Sequence, residues 1–331
     1  MTSPGSRPEE ATLTFGIVDS LPDEVFEPLR SRFPKVNFVN LSGDGTDDPA
    51  LLASVSAITS WWITADLLAA LPGLRWIHSV GAGVEGFMIP ELRARNLILT
   101  NNRGSHGPNI AEHVLAMILA FARQLPALLK AQLDAEWRDD ETRNDIFELT
   151  GQTLLIVGSG EIGSALATRA AALGLNVIGV RRRIAHGALT GLSQLVSLDL
   201  LAEVLPEADH VAICLPLTDR TRGLFNTDLL TRMKKSAYLY NIGRGGTVVT
   251  TDLIDALRAG DIAGAGLDVT DPEPLPSDSP LWSMGNVLIT AHTAGSSPRL
   301  WPRTTELLSR NIGLYLAGEP MLNLVDQSEG Y

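Results

Sequence analysis

Apolar residues fall into short runs separated by segments of helical period, and the two alternate nearly from end to end of the chain. Runs rich in Val, Ile and Leu at 13–18, 36–40, 57–60, 74–80 and 98–100 predict strands, with helical patterns at 23–33 and 64–70 between them. From 152 the alternation restarts more regularly, with strands predicted at 153–157, 176–180, 210–215, 237–241, 264–269 and 286–290. Such alternation builds parallel sheets with helical crossovers. A long helix separates the two series. Asn109 is its expected cap, and Ile110, Val114, Leu115, Ile118, Leu119 and Ala122 recur at three- and four-residue spacing before Pro126. It is apolar on more than one face, so 109–125 is expected to pack against a second copy of the chain. The stretch 134–144, with Trp137, reads as an exposed connector, and 300–316 as a helix folding back on the first series. Two domains result, 1–100 with 292–331, and 101–291.

Length supports that division, because 331 residues exceed what one core usually organises. A hydrophobic share of 45% fits a well-buried globular chain, and a net charge of −12 argues against polyanionic partners such as nucleic acid or anionic membrane. Cys214 is the only cysteine, so no internal disulfide is possible, and its apolar run reads as a buried hydrophobe rather than a reactive thiol. The polar, Pro-rich 1–10 lacks the apolar centre of a secretory signal, and no run reaches the ~18 apolar residues of a membrane span. A cytoplasmic protein is expected. No metal-ligand cluster such as H-E-x-x-H and no G-x-S-x-G elbow is present, which disfavours a hydrolase and predicts no metal.

G-x-G-x-x-G occurs twice. Gly81–Gly86 follows the predicted strand 74–80, but Pro90 interrupts the expected crossover helix and the next strand begins at Ile98, so this copy reads as a tight turn. The second copy, Gly158-Ser159-Gly160-Glu161-Ile162-Gly163, follows an apolar strand and precedes an Ala-rich helix that Gly174 ends. In that setting the glycines permit a tight turn and close approach of backbone to pyrophosphate, and the helix N-terminus favours phosphate. A dinucleotide site follows. Where an acidic residue would bond the ribose 2′-OH of NAD, the chain has Arg181-Arg182-Arg183. Guanidinium groups match phosphate oxygens, so NADP is expected over NAD, the plainer alternative being a solvated basic turn.

Arg244, Glu273 and His292 each lie just past an apolar run after this loop, where ligands gather in parallel sheets. Together with Ser79–Val84, Asn109-Ile110-Ala111-Glu112-His113, Leu215-Pro216-Leu217-Thr218, Asn241-Ile242-Gly243-Arg244-Gly245, Gly266–Val269, Pro272-Glu273-Pro274 and Ala291-His292, they make the chain resemble the D-isomer-specific 2-hydroxyacid dehydrogenases over about 55–325. In pattern it comes nearest to glyoxylate/hydroxypyruvate reductases. The resemblance implies a Rossmann cofactor domain at 101–291 and a flavodoxin-like substrate domain, 1–100 with 292–331, with a cleft that closes on substrate. It implies that Arg244 holds the substrate carboxylate and carbonyl, that His292 gives and takes the proton, and that Glu273 hydrogen-bonds His292 and keeps it protonated for carbonyl reduction. It also implies that the amides of Val80 and Gly81 bind the substrate carboxylate, that Asp268 contacts the nicotinamide carboxamide, and that Leu215, Pro216 and Ile242 flank the cofactor. His78, His106, His113, His186 and His210 read as structural or solvent-facing. The expected reaction is NAD(P)H-dependent reduction of a small 2-keto acid by a homodimer. Alternatives are a nucleotide-sensing scaffold of the corepressor kind and a D-3-phosphoglycerate dehydrogenase lacking its regulatory domain. Glutamate at 273 disfavours formate dehydrogenase.

Overall fold

A computed structural model describes residues 13–19, 21–42, 48–138, 143, 145–182, 184 and 190–327. Two compact units emerge, Met1–Ser105 with Pro298–Tyr331, and His106–Ser297.

The first unit holds five parallel strands: β1 (Thr14–Ile17), β2 (Asn37–Asn40), β3 (Ala57–Ser60), β4 (Trp76–Ser79) and β5 (Ile98–Thr100). Their order is β2-β1-β3-β4-β5, the flavodoxin-like arrangement, with its switch point between β1 and β3. Side chains alternate across the sheet. Phe15, Ala57 and Trp76 pack under the helices Asp23–Arg32 and Leu300–Ala317, whereas Ile58, Ile77 and Leu99 face Leu68 and Leu92.

The second unit holds seven parallel strands: β6 (Thr153–Val157), β7 (Asn176–Arg181), β8 (Gln194–Ser197), β9 (His210–Ile213), β10 (Tyr238–Asn241), β11 (Gly264–Leu267) and β12 (Val287–Ile289). The order β12-β11-β10-β9-β6-β7-β8 is doubly wound, and chain direction across the sheet reverses at β6. One face packs Val114, Ile118, Leu166 and Ala170 from the helices Gly107–Ala122 and Glu161–Ala172, and the other a larger cluster including Val211, Leu239 and Leu257.

Several expectations change. Strand β8 was not predicted, because only Val196 of its four residues is buried and no apolar run marks it. Asn109 does not cap the long helix. That helix starts at Gly107 behind His106, with Pro108 in its first turn, where the missing N–H costs nothing. It also ends early, at Ala122; Gln124 turns left-handed (φ 55°) and a second helix, Leu125–Leu133, leaves at 69°. The apolar faces of Gly107–Ala122 are absorbed by its own unit, leaving Leu119 partly exposed. Pro90 opens a six-residue helix, Pro90–Arg95, rather than preventing one. Finally, His292 falls in the second unit, not with the tail. Its N–H donates to the carbonyl of Asp268 (2.8 Å), just past β11, and so ties it to the seven-stranded sheet. Among the described residues no single helix is long and apolar enough to cross a membrane.

Candidate active site

Because every strand of the second sheet runs the same way, all its carboxyl ends share one edge, with neighbouring strands about 4.8 Å apart. Reading along that edge, His292 follows β12, Asp268 and Glu273 follow β11, Ile242 and Arg244 follow β10, Leu215 and Pro216 follow β9, and Gly158 follows β6. Arg181 ends β7 and Arg182 is next. The structure therefore lines up these site candidates of the second unit along one sheet edge. Arg183 and His186 lie outside the described residues.

Local hydrogen bonds shape each loop. Asn241 donates through Nδ2 to the carbonyl of Arg244 (3.0 Å) and accepts from the N–H of Gly243 (3.1 Å), folding the chain into a turn at the strand end. Thr247 Oγ1 donates to the same Arg244 carbonyl (2.7 Å). The guanidinium of Arg244, half-buried, donates through Nη1 to the Gly243 carbonyl (2.7 Å). His292 Nδ1 and Glu273 Oε1 are 2.6 Å apart, with side chains 50% and 41% exposed, so both remain open to an incoming molecule. A carboxylate can only accept, so Nδ1 carries its proton toward Glu273, and Nε2 is the ring atom available to give or take one. His292 has φ +53°, a left-handed conformation that a non-glycine residue adopts when its surroundings hold it there.

Asp268 does much of that holding. It is 3% exposed, and its Oδ1 accepts from Thr290 Oγ1 (2.6 Å), the N–H of Thr293 (2.9 Å) and the N–H of Ala294 (3.2 Å); Oδ2 also accepts from Ala294 (3.1 Å). This carboxylate organises the His292 loop, a task the sequence did not suggest.

The glycine loop suits a dinucleotide. Gly158 has φ +106°, and a Cβ there would lie 2.7 Å from the Cys214 carbonyl. A Cβ on Gly163 would lie 2.5 Å from the Gly158 carbonyl, which shows how closely helix and loop pack. Gly160 faces open space and is the N-cap of Glu161–Ala172, with no side chain capping it, so the amides of the first turn are left for a ligand. Ser159, buried, donates through N–H and Oγ to the Val180 carbonyl, anchoring the loop to β7. Leu215 and Ile242 are buried beneath the edge, and the Pro216 carbonyl accepts from Thr221 Oγ1 (2.7 Å). Burial pushes the Cys214 thiol up to about 12, which keeps it protonated. Among the described residues no group of three or more His, Cys, Asp or Glu could hold a metal ion.

In the first unit, Val80 and Gly81 follow β4 as expected. The N–H of Val80, however, donates to the Ser60 carbonyl (3.0 Å) within the sheet, so it is not available for a substrate carboxylate. The Trp61 ring stands 3.6 Å from where a Gly81 Cβ would be, and the Trp61 N–H donates to Asp19 Oδ2 (2.7 Å), joining the ends of β1 and β3 at the switch point. Sequence reasoning passed over Trp61; the signal was a tandem tryptophan directly after a strand.

Known proteins share this chain's sequence pattern and fold. The family model for the D-isomer specific 2-hydroxyacid dehydrogenase NAD binding domain matches residues 115–294. A glyoxylate reductase of Thermofilum pendens is 35% identical over 271 residues, covering 80% of this chain and 78% of the relative. A D-3-phosphoglycerate dehydrogenase of Mycobacterium tuberculosis is 34% identical over 301 residues, covering 87% of this chain; the chain spans only 54% of that relative. The NADPH-dependent glyoxylate/hydroxypyruvate reductase of Sinorhizobium meliloti, solved with NADP and sulfate, superposes with a TM-score of 0.84 at 28% identity, over 96% of this chain and all of the other. Fold, strand-edge site and relatives converge: this chain, an oxidoreductase with an NAD-binding domain, belongs to the D-isomer specific 2-hydroxyacid dehydrogenase family.

Proposed function

We propose that the chain reduces a small 2-keto acid of the glyoxylate or hydroxypyruvate kind to its D-2-hydroxy acid, with NADPH preferred over NADH. The Glu273–His292 pair carries this reading: it holds one ring nitrogen of His292 and leaves Nε2 to protonate a carbonyl oxygen. Arg244 supplies a planar cation for the substrate carboxylate. The dinucleotide would be held by Gly158–Gly163, with Arg181 and Arg182 at its 2′-phosphate, and its nicotinamide would supply the hydride. Leu215, Pro216 and Ile242 flank it. His292 would pass its Nε2 proton to the carbonyl oxygen, with Glu273 stabilising the charged ring beforehand. A homodimer fits the exposed Leu125, Leu129, Leu133 and Trp137.

The test is oxidation of NADPH and NADH over glyoxylate, hydroxypyruvate and 3-phosphohydroxypyruvate. Turnover of the first two, faster with NADPH, is expected. A preference for the phosphorylated acid would instead make this a phosphoglycerate dehydrogenase. Nucleotide binding without turnover would favour a sensing scaffold. His292→Ala should lower turnover at least about a hundredfold, in the range of general acid catalysis, while cofactor affinity measured by fluorescence titration changes little. A near-normal rate removes His292 from the chemistry.

A further inference from the structure

The loop bearing His292 is held from a second side, by the helix Gly107–Ala122. Thr290 Oγ1 donates its one proton to Asp268 Oδ1 (2.6 Å), so the bond between Thr290 Oγ1 and His113 Nε2 (2.9 Å) must have His113 as donor. A chain of donors results: His113 Nε2–H to Thr290 O–H to the buried Asp268 carboxylate, which also accepts the amides of Thr293 and Ala294. His113 Nε2 is itself 3.7 Å from Asp268 Oδ1. One helical turn before His113, on the same face, Asn109 donates through Nδ2 to the carbonyls of Ala294 (3.1 Å) and Gly295 (2.6 Å). The left-handed His292 thus sits between a carboxylate that fixes the amides after it and a helix that fixes their carbonyls.

We propose that His113 is a positioning residue for the reaction: through Thr290 and Asp268 it sets the orientation of the His292 imidazole. The proposal rests on the reading of His292 as proton donor, and it has a readout that does not. Removing the His113 donor leaves the Thr290 oxygen short of a bond and lets the carboxylate shift, so the Thr293 and Ala294 amides loosen. His113→Leu should lower kcat at least tenfold on the preferred 2-keto acid, with the dissociation constant for NADPH within about twofold, since the glycine loop is untouched. His113→Gln, whose amide nitrogen still donates, should recover most of that loss.

Hydrogen–deuterium exchange across 291–296, followed by mass spectrometry on the cofactor-free protein, reads the clamp without any turnover. His113→Leu and Thr290→Val should speed exchange there at least tenfold, leaving the peptide at 153–157 unchanged. Unaltered exchange at 291–296 overturns the proposal. So does a His113→Leu kcat within twofold of wild type, or a His113→Gln as impaired as His113→Leu. A wild type that turns over no 2-keto acid refutes the proposed function alone, and exchange still decides the clamp.

Discussion

Acidification should destabilise each unit through one buried histidine. His78 and His210 are both fully buried, and burial lowers each from 6.5 to about 4; for His210 the neighbouring Asp209 partly opposes this and Lys234 adds to it. His78 Nδ1 bonds Thr100 Oγ1 (2.9 Å), while its Nε2 is buried without a partner among the described residues. A proton added there would be an unpaired buried charge. Below 6.5 the unfolded chain binds a proton at each site that the folded chain refuses until about 4. Stability is therefore complete above 6.5 and falls as pH drops toward 4, by at most about 1.4 kcal/mol per pH unit per histidine. Between pH 7.5 and 5 the linkage relation gives a loss of about 2 kcal/mol in each unit, in a window above most carboxylate titration. Urea unfolding at pH 7.5, 6 and 5 measures it. Trp76 is a built-in reporter for the first unit, buried and donating through its indole nitrogen to the same Thr100 hydroxyl (2.9 Å). His78→Gln removes the titrating group, so its first unit should lose less than half as much stability over that range, even if it is weaker at pH 7.5. A flat wild-type profile, or a variant slope equal to the wild-type slope, would refute the reasoning.

Two further outcomes test the cofactor site. Arg182→Ala should cut the ratio of kcat/KM with NADPH to that with NADH at least tenfold, the loss of about one charge-assisted hydrogen bond; steady-state kinetics with both cofactors checks this, and an unchanged ratio rejects the phosphate role. Gly163→Ala places a Cβ 2.5 Å from the Gly158 carbonyl, so loop or helix must shift. Cofactor affinity by titration should weaken and thermal stability fall by about 1–3 kcal/mol, the usual cost of overpacking, and wild-type values for both would show that the contact yields freely.

Much of the fold was legible because strands buried on both faces leave continuous Val, Ile and Leu runs. Ala57–Ser60, Ile98–Thr100 and Thr153–Val157 have the bounds their runs predict. Gln194–Ser197 left no such trace, since an edge strand with one buried residue needs no apolar run. The glycine loop was readable because its conformation is set locally, by φ at Gly158 and the contact at Gly163. The partners of Asn109 and His113 were illegible for the opposite reason. Those partners are Ala294 and Gly295 for one and Thr290 for the other, nearly two hundred positions away. Residue type made Asn109 look like a cap, but the chain had already begun the helix at Gly107. The Val80 amide likewise gave no sign that Ser60 takes it, because strand register is not written in either segment.

Gly158, Ile242 and Asp268 each occupy the first place beyond the last residue of a strand, and Leu215, Arg244, Glu273 and His292 lie further out, in the loops after β9, β10, β11 and β12. Framework and reactivity are thus encoded in separate stretches of this unit. Hydrophobic drift within the rungs would alter the temperature at which the protein survives, whereas insertions past the rungs would alter what it transforms. Directed evolution toward new acids can leave the Val, Ile and Leu ladder untouched and spend its whole library on the turns.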